Sequence, residues 1–176
     1  MLVRVWETSS TAGLEREHPI LTSQKSGVVR SEFRHGGFQL LYCLVPKATS
    51  PAYLSTSDPH SIDMSFISNE RQRIVRANGR VEHRPVQCGS ASFHGDEIID
   101  WVGDGEPAEY VEISLLPAYR RMLGDQFGSG GRFAMRESCV AFDPVIWSAA
   151  SLIRSKTLGG LEWNDLEAEE LVLRVS

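Results

Sequence analysis

The chain changes its hydrophobic period once, near residue 117, and that change constrains the fold more than any other feature. Upstream, short apolar runs alternate with turn residues, the period-2 signature of strands. Downstream, apolar residues recur every three or four positions, the spacing of helices. Strands followed by helices predict a β-rich α+β fold, with a β-domain over residues 1–125 and a loop plus two-helix segment over 126–176.

Several strands are legible. Ser61 to Phe66 alternates, with Ile62, Met64 and Phe66 on one side and Ser61, Asp63 and Ser65 on the other. Phe38 to Val45 is apolar on both faces, as in a strand buried on two sides. Val111, Ile113 and Leu115 form a one-sided set opposed by Tyr110, Glu112 and Ser114. Asn78-Gly79, between Arg73–Ala77 and Val81–Arg84, predicts a tight hairpin, because both residues tolerate positive φ. Gly89 and Gly95 bracket a further short run, and Gly103 to Pro107 is a turn cluster. Roughly seven to nine short strands at this spacing predict a sandwich or barrel such as a jelly roll.

In the helical half, Pro117 opens a short helix over 118–125, and glycines at 128, 130 and 131 mark a loop. Asp143-Pro144 starts a helix that Gly159-Gly160 stops after Leu158. Val145, Ala149 and Leu152 are expected to face the chain's own domain, while Ile146, Trp147, Ala150 and Ile153 extend the apolar surface around the helix. Asn164 and Glu167 resemble a capping box, opening a last helix with Ala168, Leu171, Val172 and Val175 on one face. Leu166 and Leu173 lie on another. This apolar helix surface predicts a two-fold homodimer joined through Ile146, Ala150, Ile153, Leu166 and Leu173. The last helix reaches Ser176 with no stop signal, so the chain is expected to continue in a longer protein.

Charge and cysteines narrow the function. Lys+Arg is 18 against Asp+Glu 23, a net charge of -5, which makes this stretch a poor partner for nucleic acid. Cys43, Cys88 and Cys139 are odd in number and form no C-x-x-C pair, so reduced thiols are expected rather than a disulfide framework or zinc knuckle. Met1 to Glu7 has no apolar run of an export signal, and no stretch approaches the roughly 20 apolar residues of a membrane span. A cytoplasmic location is expected.

The motifs of catalysis and metal binding are missing. Imidazoles two apart on a strand share a face and can chelate, but no two of His18, His35, His60, His83 and His94 have that spacing. The nearest approximation is His83 with His94 and Glu97. No Gly-x-Ser-x-Gly elbow and no Gly-x-Gly-x-x-Gly fingerprint occurs. Asp96, Glu97 and Asp100 near His94 suit acid–base work if buried, and a solvated loop otherwise. No catalytic residue, metal or cofactor is assigned. A binding pocket is the more natural chemistry for a small barrel, with Arg30, His60, Met64, Trp101 and Tyr110 as candidates to look inward. Trp101 suits stacking on a flat or sugar-like ligand and Arg30 pairing with a carboxylate, although each also fits plain core or surface.

The order of features from His60 to Leu123 resembles the effector-binding domain of AraC-type transcription regulators. His60 precedes the alternating strand. Asn78-Gly79-Arg80 makes a turn, Gly89 precedes Ser90-Ala-Ser-Phe93, Trp101 precedes a glycine-rich turn, and Val111 to Pro117 runs from strand to helix. Phe142 to Val175 resembles the paired helices that follow in that family. Cys88 stands where members usually carry proline. The resemblance implies a cupin-like jelly-roll barrel followed by C-terminal helices. It further implies a small-molecule effector, dimerisation through the helices, and contact with DNA only through a helix-turn-helix domain outside this chain. The alternative is a metal-dependent cupin enzyme, a dioxygenase or isomerase.

Overall fold

A computed structural model describes residues 29–47, 52–127, 130 and 133–176. The expectations for Met1 to Glu7, His18 and positions 128, 129 and 131 of the glycine loop lie outside the described residues.

Among the described residues, ten strands and three helices follow in chain order. They are β1 (Val29–His35), β2 (Phe38–Val45), β3 (Ala52–Ser57), β4 (Ser61–Ser65), β5 (Arg73–Arg76), β6 (Val81–His83), β7 (Ala91–Phe93), β8 (Ile99–Gly103), β9 (Ala108–Leu115), α1 (Pro117–Gln126), β10 (Ser138–Val140), α2 (Pro144–Leu158) and α3 (Asp165–Val175). Every named strand pairing is antiparallel. One sheet has the order β1-β2-β9-β4-β7-β10 and the other β3-β8-β5-β6. From β2 to β9 the chain crosses between the sheets at every connection except the β5–β6 hairpin, so that β2-β9-β4-β7 faces β3-β8-β5-β6, the interleaved pattern of a jelly roll. The fold is therefore a β-rich α+β, cupin-like jelly roll followed by C-terminal helices.

The Asn78-Gly79 hairpin joins β5 and β6. Only Gly79 has positive φ, at 81°. The Gly79 N–H bonds the Arg76 carbonyl and the Arg76 N–H bonds the Arg80 carbonyl. That is a three-residue loop ending in a left-handed glycine, rather than a two-residue turn with both centres left-handed.

The helices cap as their sequences require. The Asp143 carboxylate accepts from the Val145 and Ile146 N–H groups, and Pro144 takes the first helical position. The Asn164 side chain accepts from the Glu167 N–H. The face that α2 buries is one residue out of register with expectation. Ile146, Ala149, Ala150 and Ile153 are its buried residues, whereas Val145 and Leu152 are 48% and 41% exposed. Ile146, Ala150 and Ile153 are thus already covered by the chain's own sheet and are not open to a second subunit, which corrects the interface expected for them. Of that set, Leu166 and Leu173 remain exposed, at 79% and 45%.

The main apolar core lies between the helices and the outer face of the large sheet. It gathers Phe38, Leu40 and Tyr42 of β2, Ile62 and Met64 of β4, and Val111, Ile113 and Leu115 of β9 with Tyr119, Leu123, Ile153, Ala168, Leu171 and Val172 of the helices. Residues on both sides of position 125 share this cluster, and β10 completes the large sheet beside β7. A second, much smaller cluster holds Ile74, Ile99 and Trp101 of the four-stranded sheet.

Candidate functional site

Alternation forces the other face of β4 and β9 toward the opposing sheet, and those residues are polar. Asp63 of β4 and Glu112 of β9 are direct register partners, and both reach Ser57 of β3. This is the finding the sequence pattern concealed. Ser61-Asp63-Ser65 and Tyr110-Glu112-Ser114 are the polar sides of their strands, and helices cover one face of the sheet while the second sheet covers the other. A strand with both faces covered must put its polar side indoors.

The interior cluster is closely knit. The Ser57 hydroxyl lies 2.6 Å from Asp63 Oδ2 and 3.3 Å from Glu112 Oε2. Trp101 Nε1 donates to Ser57 Oγ at 2.8 Å and reaches Asp63 Oδ2 at 3.2 Å. His94 Nε2 lies 2.8 Å from Asp63 Oδ2, and the Ser114 hydroxyl donates to Glu112 Oε1 at 2.7 Å. Ser57, His94, Glu112 and Ser114 are fully buried.

Proton counting assigns the charges. A hydroxyl has one proton to give. Ser57 gives it to Asp63, the shorter contact, and accepts from Trp101. Glu112 satisfies Ser57 as a donor when it is protonated. Burial, followed by the charge of Asp63, pushes the Glu112 carboxyl well above the ordinary carboxylate range. Both arguments make Glu112 a neutral acid and leave the negative charge on Asp63. His94 has no partner at Nδ1. Its Nε2 carries the proton that meets Asp63 Oδ2.

A small cavity of about 30 Å³ adjoins this cluster, with Asp63, Asn69, Ser92, Trp101 and Tyr110 on its wall. That is room for one or two waters, well short of the roughly 300 Å³ of a drug-sized pocket. Two buried polar atoms on its wall have no partner: Asp63 Oδ1 and Asn69 Nδ2.

Of the five residues expected to line a pocket, Trp101 and Tyr110 stand on the cavity wall with polar neighbours. Met64 borders it as well, but is fully buried in the apolar cluster under the helices. His60 is 2% exposed and sits elsewhere, at φ 60°. Its Nδ1 accepts from the Met135 N–H at 3.3 Å and its Nε2 donates to Asp96 at 2.8 Å, so it ties the loop before β10 to the barrel. Burial, with the charge of Arg120, lowers its pKa against the opposing pull of Asp96. Arg30 is exposed on the edge strand, 3.8 Å from Glu32, and does not line the cavity. Neither His60 nor Arg30 is brought to this cavity. Asp63, Asn69, Ser57 and Glu112 have no motif that singles them out in the sequence, and His94 stands out there only beside His83 and the acidic run.

The acidic run is dispersed among separate partners. Asp96 meets His60, Glu97 meets Arg76 at 2.8 Å, and Asp100 accepts from Thr56. Among the described residues no three His, Cys, Asp or Glu side chains are placed to hold a metal ion. His83 bonds the Glu70 carbonyl, His94 bonds Asp63 and Glu97 bonds Arg76, so the three have separate partners. Cys43 is buried, Cys88 and Cys139 are exposed, and all three are free thiols. No helix among the described residues is long and apolar enough to cross a membrane.

No protein-family profile matches the sequence, and no curated protein matches it. Among solved structures it is similar to an oxalate decarboxylase from Bacillus subtilis, at 13% identity and a TM-score of 0.40, covering 77% of this chain and 33% of that one. It is also similar to a putative ethanolamine utilization protein q from Salmonella typhimurium, at 14% identity and a TM-score of 0.35, covering 52% and 70%. A third is the Cnp3 cupin domain of Schizosaccharomyces pombe, at 10% identity and a TM-score of 0.34, covering 59% and 73%. No activity or residue role is carried over from likeness at this level, and the jelly roll rests on the strand order.

Proposed function

We propose that the chain is a small-molecule-sensing domain of the kind AraC-type regulators carry, with its binding site inside the barrel and no catalysis of its own. One observation supports this above the rest: the chain keeps its main apolar core outside the barrel, under the helices, and places a hydrogen-bonded polar cluster inside, beside only the small apolar cluster of Ile74, Ile99 and Trp101. A barrel that existed only as a scaffold has no need to bury Asp63, Glu112 and His94 together, since unpaired polar atoms in such a place cost stability. In this reading a ligand inside the barrel shifts the population of two arrangements of the large sheet. The helices on the sheet's other face convey the change to a second subunit and to an attached DNA-binding domain. The exposed apolar residues Leu166 and Leu173 are the part of the expected dimer surface that stays available.

Trp101 is the natural reporter, because its indole N–H bonds the cluster directly. Titration of small polar compounds while following tryptophan fluorescence should show saturable quenching or enhancement that Trp101→Phe removes. A response that survives in Trp101→Phe places binding elsewhere and overturns the reading.

A further inference from the structure

We infer that the barrel interior takes a compact monocation, a protonated amine that also carries an oxygen acceptor, and rejects carboxylates. This rests on the reading of the barrel as a ligand-binding chamber and names the class of ligand.

Three observations carry it. The first is Asp63 Oδ1. Its sister oxygen already meets Ser57, Trp101 and His94, while Oδ1 is buried and unpartnered on the cavity wall. A buried carboxylate oxygen without a donor is costly, and a charged donor satisfies it best. The second is Asn69, only 5% exposed. Its Oδ1 accepts from the Arg71 N–H, which fixes the orientation of the amide. Its Nδ2 is then a donor with no acceptor, on the same cavity wall. The third is the wall itself, which carries neither Lys nor Arg. An anion entering there would meet Asp63 with no compensating cation, a like-charge contact in a poorly solvated space.

The charge count limits the ligand to one positive charge. Glu112 is neutral by the proton argument above, so Asp63 holds the single negative charge of the cluster. The ammonium of the ligand would meet Asp63 Oδ1 and its oxygen would accept from Asn69 Nδ2. The cavity holds only about 30 Å³ but is not sealed, so the ligand must be short, its ammonium and oxygen inside and its methylenes bowed toward the open side.

The test is a matched series on one skeleton: 3-amino-1-propanol, 1,3-propanediol and 3-hydroxypropanoate, with 1-aminopropane to remove the acceptor oxygen. Affinities are read by calorimetry at pH 7 and by tryptophan fluorescence. The wild-type chain should bind the amino alcohol about tenfold or more tighter than the diol, as expected for a charge-assisted hydrogen bond, and should not bind the carboxylate. Asp63→Asn should erase the preference for the amine. Asn69→Ala leaves the interior cluster untouched, and it should lose the preference for the amino alcohol over 1-aminopropane while keeping that for the amine over the diol. Diol or carboxylate binding as tightly as the amino alcohol overturns the inference and leaves the sensing role standing. A chain whose fluorescence and melting temperature respond to none of the four, nor to a broad set of small metabolites, overturns both.

Discussion

Asp63 and Glu112 face one another across neighbouring strands inside the barrel, bridged by the hydroxyl of Ser57. Two carboxyl groups so placed do not both ionise, and burial decides that Glu112 keeps its proton. The linkage has a definite sign. A carboxyl whose pKa is raised on folding binds a proton in the folded state that the unfolded chain has released. Stability therefore falls as pH rises above the ordinary carboxylate range, by up to about 1.4 kcal/mol per pH unit for one group. Glu112→Gln, which copies the neutral acid, should be at least as stable as wild type at pH 7 and should flatten this slope. Melting temperatures between pH 5 and 8 check it, and identical slopes for both proteins would show that Glu112 is ionised.

Arg76 binds Glu82, Glu97 and Glu137 together, linking the β5–β6 hairpin to the segment before β10. The Arg76 and Arg84 guanidiniums hold the Glu137 carboxyl down to about 2. A depressed carboxylate stabilises the fold above its unfolded pKa and loses that contribution as pH falls toward 2. A double-mutant cycle of Arg76→Met and Glu137→Gln should give a coupling on the order of 1 kcal/mol at pH 7 that shrinks with acidification. Additive losses at pH 7 would deny the clasp.

Ile153 is 1% exposed and Leu166 is 79% exposed. Ile153→Ala should cost about 2–5 kcal/mol through lost packing and a residual cavity. Leu166→Glu and Leu173→Glu should leave the melting temperature nearly unchanged and convert a dimer to a folded monomer. Light scattering is the measurement. A wild-type monomer at tens of micromolar would end the dimer proposal.

The purified chain should contain no stoichiometric zinc, iron or manganese, because no three donors converge among the described residues. Elemental analysis showing near one metal per chain would favour the enzyme alternative.

Strand positions and helix caps were legible because they depend on local chemistry. Asp143-Pro144 could only begin a helix, and the alternation of Ile62, Met64 and Phe66 could only pack one face. The α2 face was misjudged because Val145 and Ile146, like Leu152 and Ile153, are adjacent apolar pairs. A rotation of about 100° per residue decides which member is buried, and only contact with the sheet chooses. The interior site was hidden for a different reason. A polar strand face looks the same whether it meets water or a second sheet. Asn69 reaches the cavity through a loop, where no periodicity exists to read.

The large sheet is a wall with two tenants. Along β4 the side chains run Ile62, Asp63, Met64, so one peptide unit separates the chamber from the helix-bearing surface. In the proposed sensing role, a guest that pulled on Asp63 would act on the very strand over which α2 packs, and the thickness of a single strand would do what a longer relay does elsewhere.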